Sequence, residues 1–159
     1  MQHIFRIARD PRGRSAVTNP CIIGGMQKEY IDKLAFVYLK DAKVLESKNY
    51  GKDTWYIPGG KREHDETDKQ ALVREVKEEL NVDLEPASIR LYGVFEAPAH
   101  GKPPGTVVRM TCYEADFQGE LKPGAEVEML DFFGFADKSR TSPVDHLIFD
   151  DLHAKGLLD

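Results

Sequence analysis

Three glutamates in the middle of the chain have the spacing of a single helical face. Glu75, Glu78 and Glu79 stand at positions i, i+3 and i+4, and side chains at these intervals are neighbours on an α-helix. Adjacent carboxylates repel one another unless a positive charge lies among them. A divalent cation such as Mg²⁺ meets this need, since it is bound by a few carboxylates together with substrate phosphates. An ordinary solvated helix face has the same residues, so this spacing alone does not decide between the two.

The residues around the glutamates extend the pattern. It reads Gly60-x5-Glu66-x7-Arg74-Glu75-Val76-x-Glu78-Glu79-x-Asn81-Val82. This pattern resembles the Nudix box, and the chain is similar to the MutT-like members of the Nudix hydrolase family over about residues 33–156. Asn81 stands where the family usually has glycine. Asparagine also tolerates the left-handed conformation that ends many helices, so the departure is small.

The resemblance implies a role for each box residue. Glu75 and Glu79 would be the principal Mg²⁺ ligands and Glu78 a further one, with the carbonyl of Gly59 as an additional ligand. Glu75 or Glu78 would serve as general base. Arg74 would hold the glutamates by ion pairing, Glu66 would tie the loop to the helix, and Gly60 would permit a tight loop.

One more acid is expected outside the box. Glu126 matches the first acid of a later family motif, and Glu128 and Glu96 remain alternatives. Phosphate contacts are expected from basic side chains on the loops and strands around the box, namely Lys61, Arg62, His100, Lys102 and Arg109. Trp55, Tyr56, Phe95 and Tyr113 are candidates for stacking on a base.

The implied reaction is Mg²⁺-dependent hydrolysis of a pyrophosphate bond in a nucleoside diphosphate linked to another moiety. Mn²⁺ would substitute for Mg²⁺. The substrate is expected to be a nucleoside triphosphate or a nucleotide sugar, with ADP-ribose or a dinucleotide as an alternative. A Nudix-fold nucleotide-binding or sensor module without catalysis is the alternative from another class, and the intact Arg74, Glu75, Glu78 and Glu79 argue against it.

The elements that position these residues alternate between strands and helices. Apolar runs predict strands at Leu34–Leu39, Lys43–Lys48, Trp55–Ile57, Ile89–Glu96, Thr106–Phe117 and Val127–Phe133. Thr67 and Gln70 form a capping-box pattern at the start of a helix that ends at Asn81. Ser142 and Pro143 begin a second helix. The order predicts an α/β fold, a Nudix-like α/β/α sandwich with a mixed β-sheet.

Length and composition set the outer limits. A chain of 159 residues with a net charge of −5 fits one domain. Residues 1–25 have a formal charge of +3 and the remainder −8, so we expect a basic N-terminal extension followed by a single domain over 26–159. Whether Met26 is the true start is left open.

The same composition predicts the surroundings of the protein. The acidity disfavours an extended nucleic-acid partner, and no run of residues is long enough to span a membrane. Two cysteines, Cys21 and Cys112, indicate a reduced compartment. We expect a cytoplasmic enzyme that acts on a small nucleotide, with a homodimer left open.

Overall fold

A computed structural model of the protein describes residues 28–159. The strands are β1 (Glu29–Phe36), β2 (Leu39–Lys40), β3 (Lys43–Asn49), β4 (Asp83–Leu84), β5 (Arg90–Pro98), β6 (Thr106–Glu114), β7 (Phe117–Gln118) and β8 (Val127–Phe133). The helices are α1 (Asp68–Leu80) and α2 (Pro143–Ala154), with short 3₁₀ helices at Pro86–Ser88 and Phe135–Arg140. The extension over 1–25, with Cys21, and Met26 lie outside the described residues.

The strands form one mixed sheet and two smaller antiparallel ones. The mixed sheet has the order β1-β6-β5, in which β6 runs parallel to β1 and antiparallel to β5. A second sheet has the order β2-β3-β8, and β4 pairs with β7. Together with the two helices these sheets give the mixed α/β architecture that the sequence predicts.

Two apolar clusters lie on opposite sides of β1. Leu34 and Phe36 pack in the cluster that contains the buried residues of α1, whereas Ala35 and Val37 pack in the cluster that contains those of α2. This alternation is the period of two that a strand imposes on its side chains. Cys112 is fully buried in the α2 cluster and is a core residue.

Local signals set the ends of α1. The Thr67 hydroxyl accepts a hydrogen bond from the Gln70 amide, and the Gln70 side chain accepts one from the Thr67 amide. Asn81 follows the last turn in the left-handed conformation, with φ 59° and ψ 19°. Both ends agree with the prediction. Neither helix in 28–159 is long and apolar enough to cross a bilayer.

Several boundaries differ from the sequence prediction because strand pairing overrides local hydrophobicity. Strand β1 starts at Glu29, since its polar first half pairs with β6 from Glu29 opposite Thr106 onward. The segment around Trp55 makes single bridges to β3 and to Thr141 rather than a strand. The predicted strand over 106–117 is interrupted after Glu114, and Phe117 pairs with β4 instead.

The start of α2 also differs in detail. Ser142 precedes the helix with extended dihedral angles, but its side chain makes no capping bond to the backbone. The Ser142 hydroxyl instead donates to the Asp145 carboxylate, with 2.7 Å between Oγ and Oδ2. Asp145 is completely buried. Ser142 therefore gives a buried carboxylate oxygen a hydrogen-bond partner instead of capping the free amides of the helix.

Candidate active site

The loop before α1 is attached to the edge of β1. The Leu34 amide donates to the Gly60 carbonyl and the Phe36 amide to the Pro58 carbonyl, both at 2.8 Å. Gly59 has a φ of +146°, and a Cβ atom there would lie 2.2 Å from the Leu34 carbonyl oxygen. Only glycine fits this position, because a side chain would collide with the backbone of β1.

The second glycine of the loop lies against a box glutamate. A Cβ atom on Gly60 would be 2.3 Å from the carboxyl carbon of Glu75 and 2.4 Å from both its oxygens. The absence of a side chain at Gly60 therefore makes the space that the Glu75 carboxylate occupies. This close approach explains why the first residue of the box is a glycine.

Arg74 connects the loop to the glutamates of the helix. Its Nε and Nη2 atoms donate to the two oxygens of Glu66, each at 2.8 Å, and this bidentate geometry gives a strong ion pair. Its Nη1 atom donates to Glu75 at 2.9 Å and lies 3.6 Å from Glu78. The Arg74 hydrogen bonds lower the pKa of Glu66 to about 2. Arg74 thus joins Glu66, which precedes the helix, to Glu75 within it.

Glu79 is held on the other side of the loop. The Gly59 amide donates to Glu79 Oε2 at 2.9 Å. The pKa of Glu79 is raised to about 7, with burial as the largest cause. The negative charges of Glu75 and Glu126 contribute to this rise, whereas the Gly59 hydrogen bond and the charge of Lys33 oppose it. A carboxyl group in such surroundings is stabilised as the anion by a nearby cation.

Three glutamates are candidates for the acid outside the box, and they have different partners. The charge of Glu126 acts on Glu79, and its carbonyl accepts from the Tyr50 amide at 3.1 Å. Glu128 instead pairs with Lys48 at 3.0 Å, and Glu96 accepts from Arg109 at 2.7 Å. Of the three, Glu126 is therefore the one whose charge acts on a box glutamate.

The donor set of this site consists of carboxylate and carbonyl oxygens, which are the ligands that Mg²⁺ prefers. Within residues 28–159, no three acidic, histidine or cysteine side chains converge on one point as a complete metal cage. The reason is visible in the contacts, because Glu75 is turned to Arg74 and Glu79 to Gly59. Mg²⁺ commonly uses one or two carboxylates and completes its shell with water and substrate phosphates, so these residues fit it.

A cavity of about 330 Å³ opens beside Glu79. Basic side chains from separate segments line it, namely Lys33, Lys52, Lys61, His100 and Lys102. Polar side chains from β3, the following loop and the start of α2 also line it, namely Ser47, Asn49, Tyr56 and Ser142. Most of the remaining lining is apolar and includes Ile31, Val108 and Met110. A concave site with an acid at one end and several cations around it suits an anionic ligand bound with a metal ion.

The structure brings only part of the predicted phosphate contacts to this cavity. Lys61, His100 and Lys102 line it, whereas Arg62 and Arg109 do not. Arg62 forms an ion pair with Asp68 at the start of α1. Arg109 donates to Glu96 and lies with its guanidinium 4.2 Å from the centre of the Tyr30 ring. Both arginines are thus engaged by partners outside the cavity.

Of the four aromatic residues predicted to stack on a base, one lines the cavity and three lie elsewhere. Tyr56 lines the cavity. Trp55 and Phe95 belong to the apolar cluster beneath α2, and the Tyr113 hydroxyl donates to Asp68 at 2.6 Å. Only Tyr56 is placed for contact with a ligand in the cavity.

Sequence reasoning missed five polar residues of the cavity, namely Lys33, Ser47, Asn49, Lys52 and Ser142. A weak signal was present in β3, where Ser47 and Asn49 stand two residues apart and so share one face of the strand. For Lys33 the sequence offers only a charged residue next to an apolar run. Its position in the cavity depends on how β1 meets the loop before α1.

Comparison with known proteins supports the resemblance on which these roles depend. An ADP-ribose pyrophosphatase of Methanocaldococcus jannaschii is 37% identical over 97 residues, which are 59% of this chain and 56% of that protein. The chain therefore spans little more than half of this relative. A CTP pyrophosphohydrolase of Escherichia coli is 30% identical over 97 residues, 58% of this chain and 67% of that protein.

A solved structure agrees with the fold. The crystal structure of a MutT NUDIX hydrolase from Burkholderia pseudomallei superposes with a TM-score of 0.59 at 25% identity, covering 76% of this chain and 93% of that one. The family model for the NUDIX domain matches residues 32–148, a range that includes the glycine loop, α1 and most of the cavity lining. The chain belongs to the NUDIX domain family.

Proposed function

We propose that the protein is a Mg²⁺-dependent hydrolase of a pyrophosphate bond in a nucleoside diphosphate linked to another moiety. The observation that carries this proposal is the box cluster, by which we mean Glu66, Glu75, Glu78 and Glu79, held by Arg74 and the glycine loop at the end of a cation-lined cavity. Such a site suits a polyanionic substrate that arrives with a metal ion.

Each residue of the cluster has a proposed task. Glu75, Glu78 and Glu79 would bind Mg²⁺ or Mn²⁺, with Glu126 and the Gly59 carbonyl as further ligands. The metal would neutralise phosphate oxygens and lower the pKa of a bound water. Glu75 or Glu78 would accept the proton of the attacking water. Arg74 would keep the carboxylates in place through its bonds to Glu66 and Glu75.

The substrate is proposed to be a nucleoside triphosphate or a nucleotide sugar. The name of the Escherichia coli relative agrees with a triphosphate substrate, and that of the Methanocaldococcus jannaschii relative favours ADP-ribose as the second candidate. Residues 26–159 would form the catalytic domain of a cytoplasmic enzyme, monomeric or dimeric, with residues 1–25 as a basic extension.

The proposal is tested with a substrate panel in the presence of Mg²⁺. The panel contains nucleoside triphosphates, ADP-ribose, nucleotide sugars and dinucleotide polyphosphates, and the products are identified by chromatography. We expect turnover of at least one compound by cleavage at a pyrophosphate bond, and none when the metal is removed by a chelator. No turnover of any compound would favour a nucleotide-binding module instead.

A further inference from the structure

Glu46 is an acidic residue whose side chain lies in the core. It shares a face of β3 with Val44, because side chains two positions apart in a strand point the same way, and Val44 packs in the apolar cluster that contains the buried residues of α2. Glu46 has no exposed surface, and within residues 28–159 neither of its carboxylate oxygens has a hydrogen-bond partner. A charged carboxylate in such surroundings is costly, so the neutral form of Glu46 is favoured.

Asp145 on α2 is the acidic neighbour of Glu46 and is equally buried. Burial raises the pKa of Glu46 well above its ordinary value, and the charge of Asp145 contributes to this rise. On β6, burial and then the charge of Asp145 raise the pKa of the Cys112 thiol far above its ordinary value, so this third group stays neutral. Two neighbouring buried carboxylates repel one another, and a single proton held between them relieves the repulsion.

The donors around the two acids determine which of them holds the proton. The Ser142 hydroxyl donates to Asp145 Oδ2 at 2.7 Å. Burial raises the pKa of Asp145 to about 7, and this hydroxyl, backbone hydrogen bonds from Ser142 and Ile57, and the charge of Lys33 oppose the rise. Glu46 has no such donor in the described part of the chain. The proton is therefore best placed on Glu46, whose O–H group can donate to the unpartnered Oδ1 of Asp145.

The chain segment 55–57 lies between the strand of Glu46 and the start of α2. The Tyr56 amide donates to the Ser47 carbonyl at 2.9 Å, and the Ser47 amide donates to the Tyr56 carbonyl at 2.8 Å. The Trp55 amide donates to the Arg140 carbonyl at 3.0 Å, shortly before α2. Segment 55–57 is thus attached to the residue next to Glu46 on one side and to the approach to α2 on the other.

The same segment leads directly into the glycine loop, residues 58–60. In this loop the Gly59 amide donates to Glu79 Oε2 at 2.9 Å. Gly60 leaves the space that the Glu75 carboxylate occupies, since a Cβ atom there would lie 2.3 Å from the Glu75 carboxyl carbon. A displacement of segment 55–57 would therefore move the groups that support both glutamates.

We infer that Glu46 and Asp145 are positioning residues for the proposed hydrolysis, on which this inference rests. The protonated carboxyl group of Glu46 donates to Asp145 and so fixes β3 to the start of α2 around segment 55–57. The segment in turn holds the glycine loop where it supports Glu75 and Glu79. Neither Glu46 nor Asp145 touches the substrate in this arrangement, and both act through the loop.

Amide hydrogen exchange tests this link without metal or substrate. Glu46→Leu removes the donor, whereas the side-chain amide of Glu46→Gln can still donate to Asp145. The control Ile89→Ala loses buried apolar surface in the cluster that contains the buried residues of α1. We expect the Tyr56 and Gly59 amides of Glu46→Leu to exchange at least about tenfold faster than in the wild type, relative to the amides of β6. Glu46→Gln and Ile89→Ala should keep the wild-type ratio.

Kinetics on a compound that the wild type hydrolyses test the consequence for the reaction. We expect kcat/KM of Glu46→Leu to fall about tenfold, as when a residue that orients metal ligands is changed, and kcat/KM of Glu46→Gln and Ile89→Ala to stay near the wild-type value. Wild-type exchange ratios and kcat/KM in Glu46→Leu would overturn the inference. So would a Glu46→Gln variant as impaired as Glu46→Leu, because the donor would then have no effect.

The protonation of Glu46 is measured in the wild type, which covers the case in which Glu46→Leu does not fold. The carbon-13 signal of the Glu46 side-chain carboxyl, assigned by its loss in Glu46→Gln, distinguishes a neutral acid from a carboxylate. We expect the neutral acid at neutral pH, and a carboxylate would overturn the inference. If the wild type hydrolysed no compound, the proposed function would fail, while exchange and protonation would still decide whether the two acids hold the loop.

Discussion

Two groups of carboxylates in this molecule have opposite surroundings. In the box cluster, Arg74 donates three hydrogen bonds to Glu66 and Glu75, and the Gly59 amide donates to Glu79. The second group, which we call the core pair, consists of Glu46 and Asp145, both with no exposed surface. Within the described residues, neither oxygen of Glu46 and only one of Asp145 has a hydrogen-bond partner.

The difference determines which carboxyl groups carry charge. Arg74 lowers the pKa of Glu66 to about 2. Burial raises the pKa of Glu46 well above its ordinary value, and the nearby Asp145 raises it further, while burial raises the pKa of Asp145 to about 7. Arg74 thus keeps Glu66 charged, whereas burial favours the protonated form of the core pair. Glu79 lies between these extremes, because burial raises its pKa to about 7 while the Gly59 amide and Lys33 favour its charged form.

The largest effect is expected from Glu79→Gln, which removes a charged oxygen from the box cluster and keeps the shape of the side chain. We expect Mg²⁺-dependent turnover to fall by at least about 100-fold with little change in circular dichroism. Glu120→Gln, which changes an exposed acid paired with Lys122, is the matched control. Full activity of Glu79→Gln would remove Glu79 from the proposed ligands.

Arg74→Lys separates the geometry of the box cluster from its charge. A lysine keeps the positive charge but lacks the planar fork that contacts both oxygens of Glu66. Turnover is expected to fall by about 10–100-fold, as it does when a residue that orients metal ligands is changed. Arg90→Lys, in an exposed pair with Glu114, should leave kcat/KM unchanged. Wild-type activity of Arg74→Lys would show that charge alone suffices.

Glu46→Gln tests the core pair through the pH dependence of stability. Burial favours the protonated form of Glu46 in the folded protein, whereas the unfolded chain releases this proton above the ordinary pKa of 4.5. The wild-type free energy of unfolding should therefore fall as the pH rises above about 5. The slope per such proton approaches about 1.4 kcal/mol per pH unit.

Urea unfolding across this pH range measures the slope. Glu46→Gln should make it shallower, because glutamine has no proton to release, and Glu128→Gln on the neighbouring β8 should keep the wild-type slope. If the Glu46→Gln and wild-type curves were parallel, Glu46 would be charged in the folded protein, and the contrast between the two groups of carboxylates would fail.

The smallest effect is expected at Asn81, next to the box cluster. Its Nδ2 atom donates to the Lys122 and Pro123 carbonyls at 3.1 and 3.2 Å, and these residues lead to Glu126. Asn81→Gly keeps the left-handed turn but loses both bonds, at an expected cost of about 1 kcal/mol in the free energy of unfolding. Asn81→Ala should cost about 1 kcal/mol more because of its positive φ. A glycine variant more stable than the wild type would contradict this role.

The residues of the box and the ends of α1 could be predicted because their determinants lie close together in the chain. The capping box joins residues three apart, the glutamates share one face by helical geometry, and Asn81 ends the helix through its own backbone preference. Strand β8 was likewise predicted with its observed bounds, Val127–Phe133. In each case a short stretch of sequence contains the whole physical cause.

The ion-pair partners of the charged side chains could not be predicted from short stretches of sequence. Arg109 contacts Asp32 and Glu96 because β6 pairs with both β1 and β5, and it is thereby kept from the cavity where a phosphate contact was expected. Glu46 reads as a surface residue of a strand, yet it is fully buried. Neither the partners of Arg109 nor the burial of Glu46 can be predicted from the neighbouring residues in the sequence.

By itself, the sequence determined that a helix would present Glu75, Glu78 and Glu79 on one face after a glycine loop. Only the tertiary structure decided which cationic side chains line the cavity beside Glu79, placing Lys33, Lys61 and Lys102 there and pairing Arg62 and Arg109 elsewhere. The physical reason is the range of the interactions. Helix periodicity and capping act over three or four residues, whereas burial and ion pairing depend on strands that meet from distant parts of the chain.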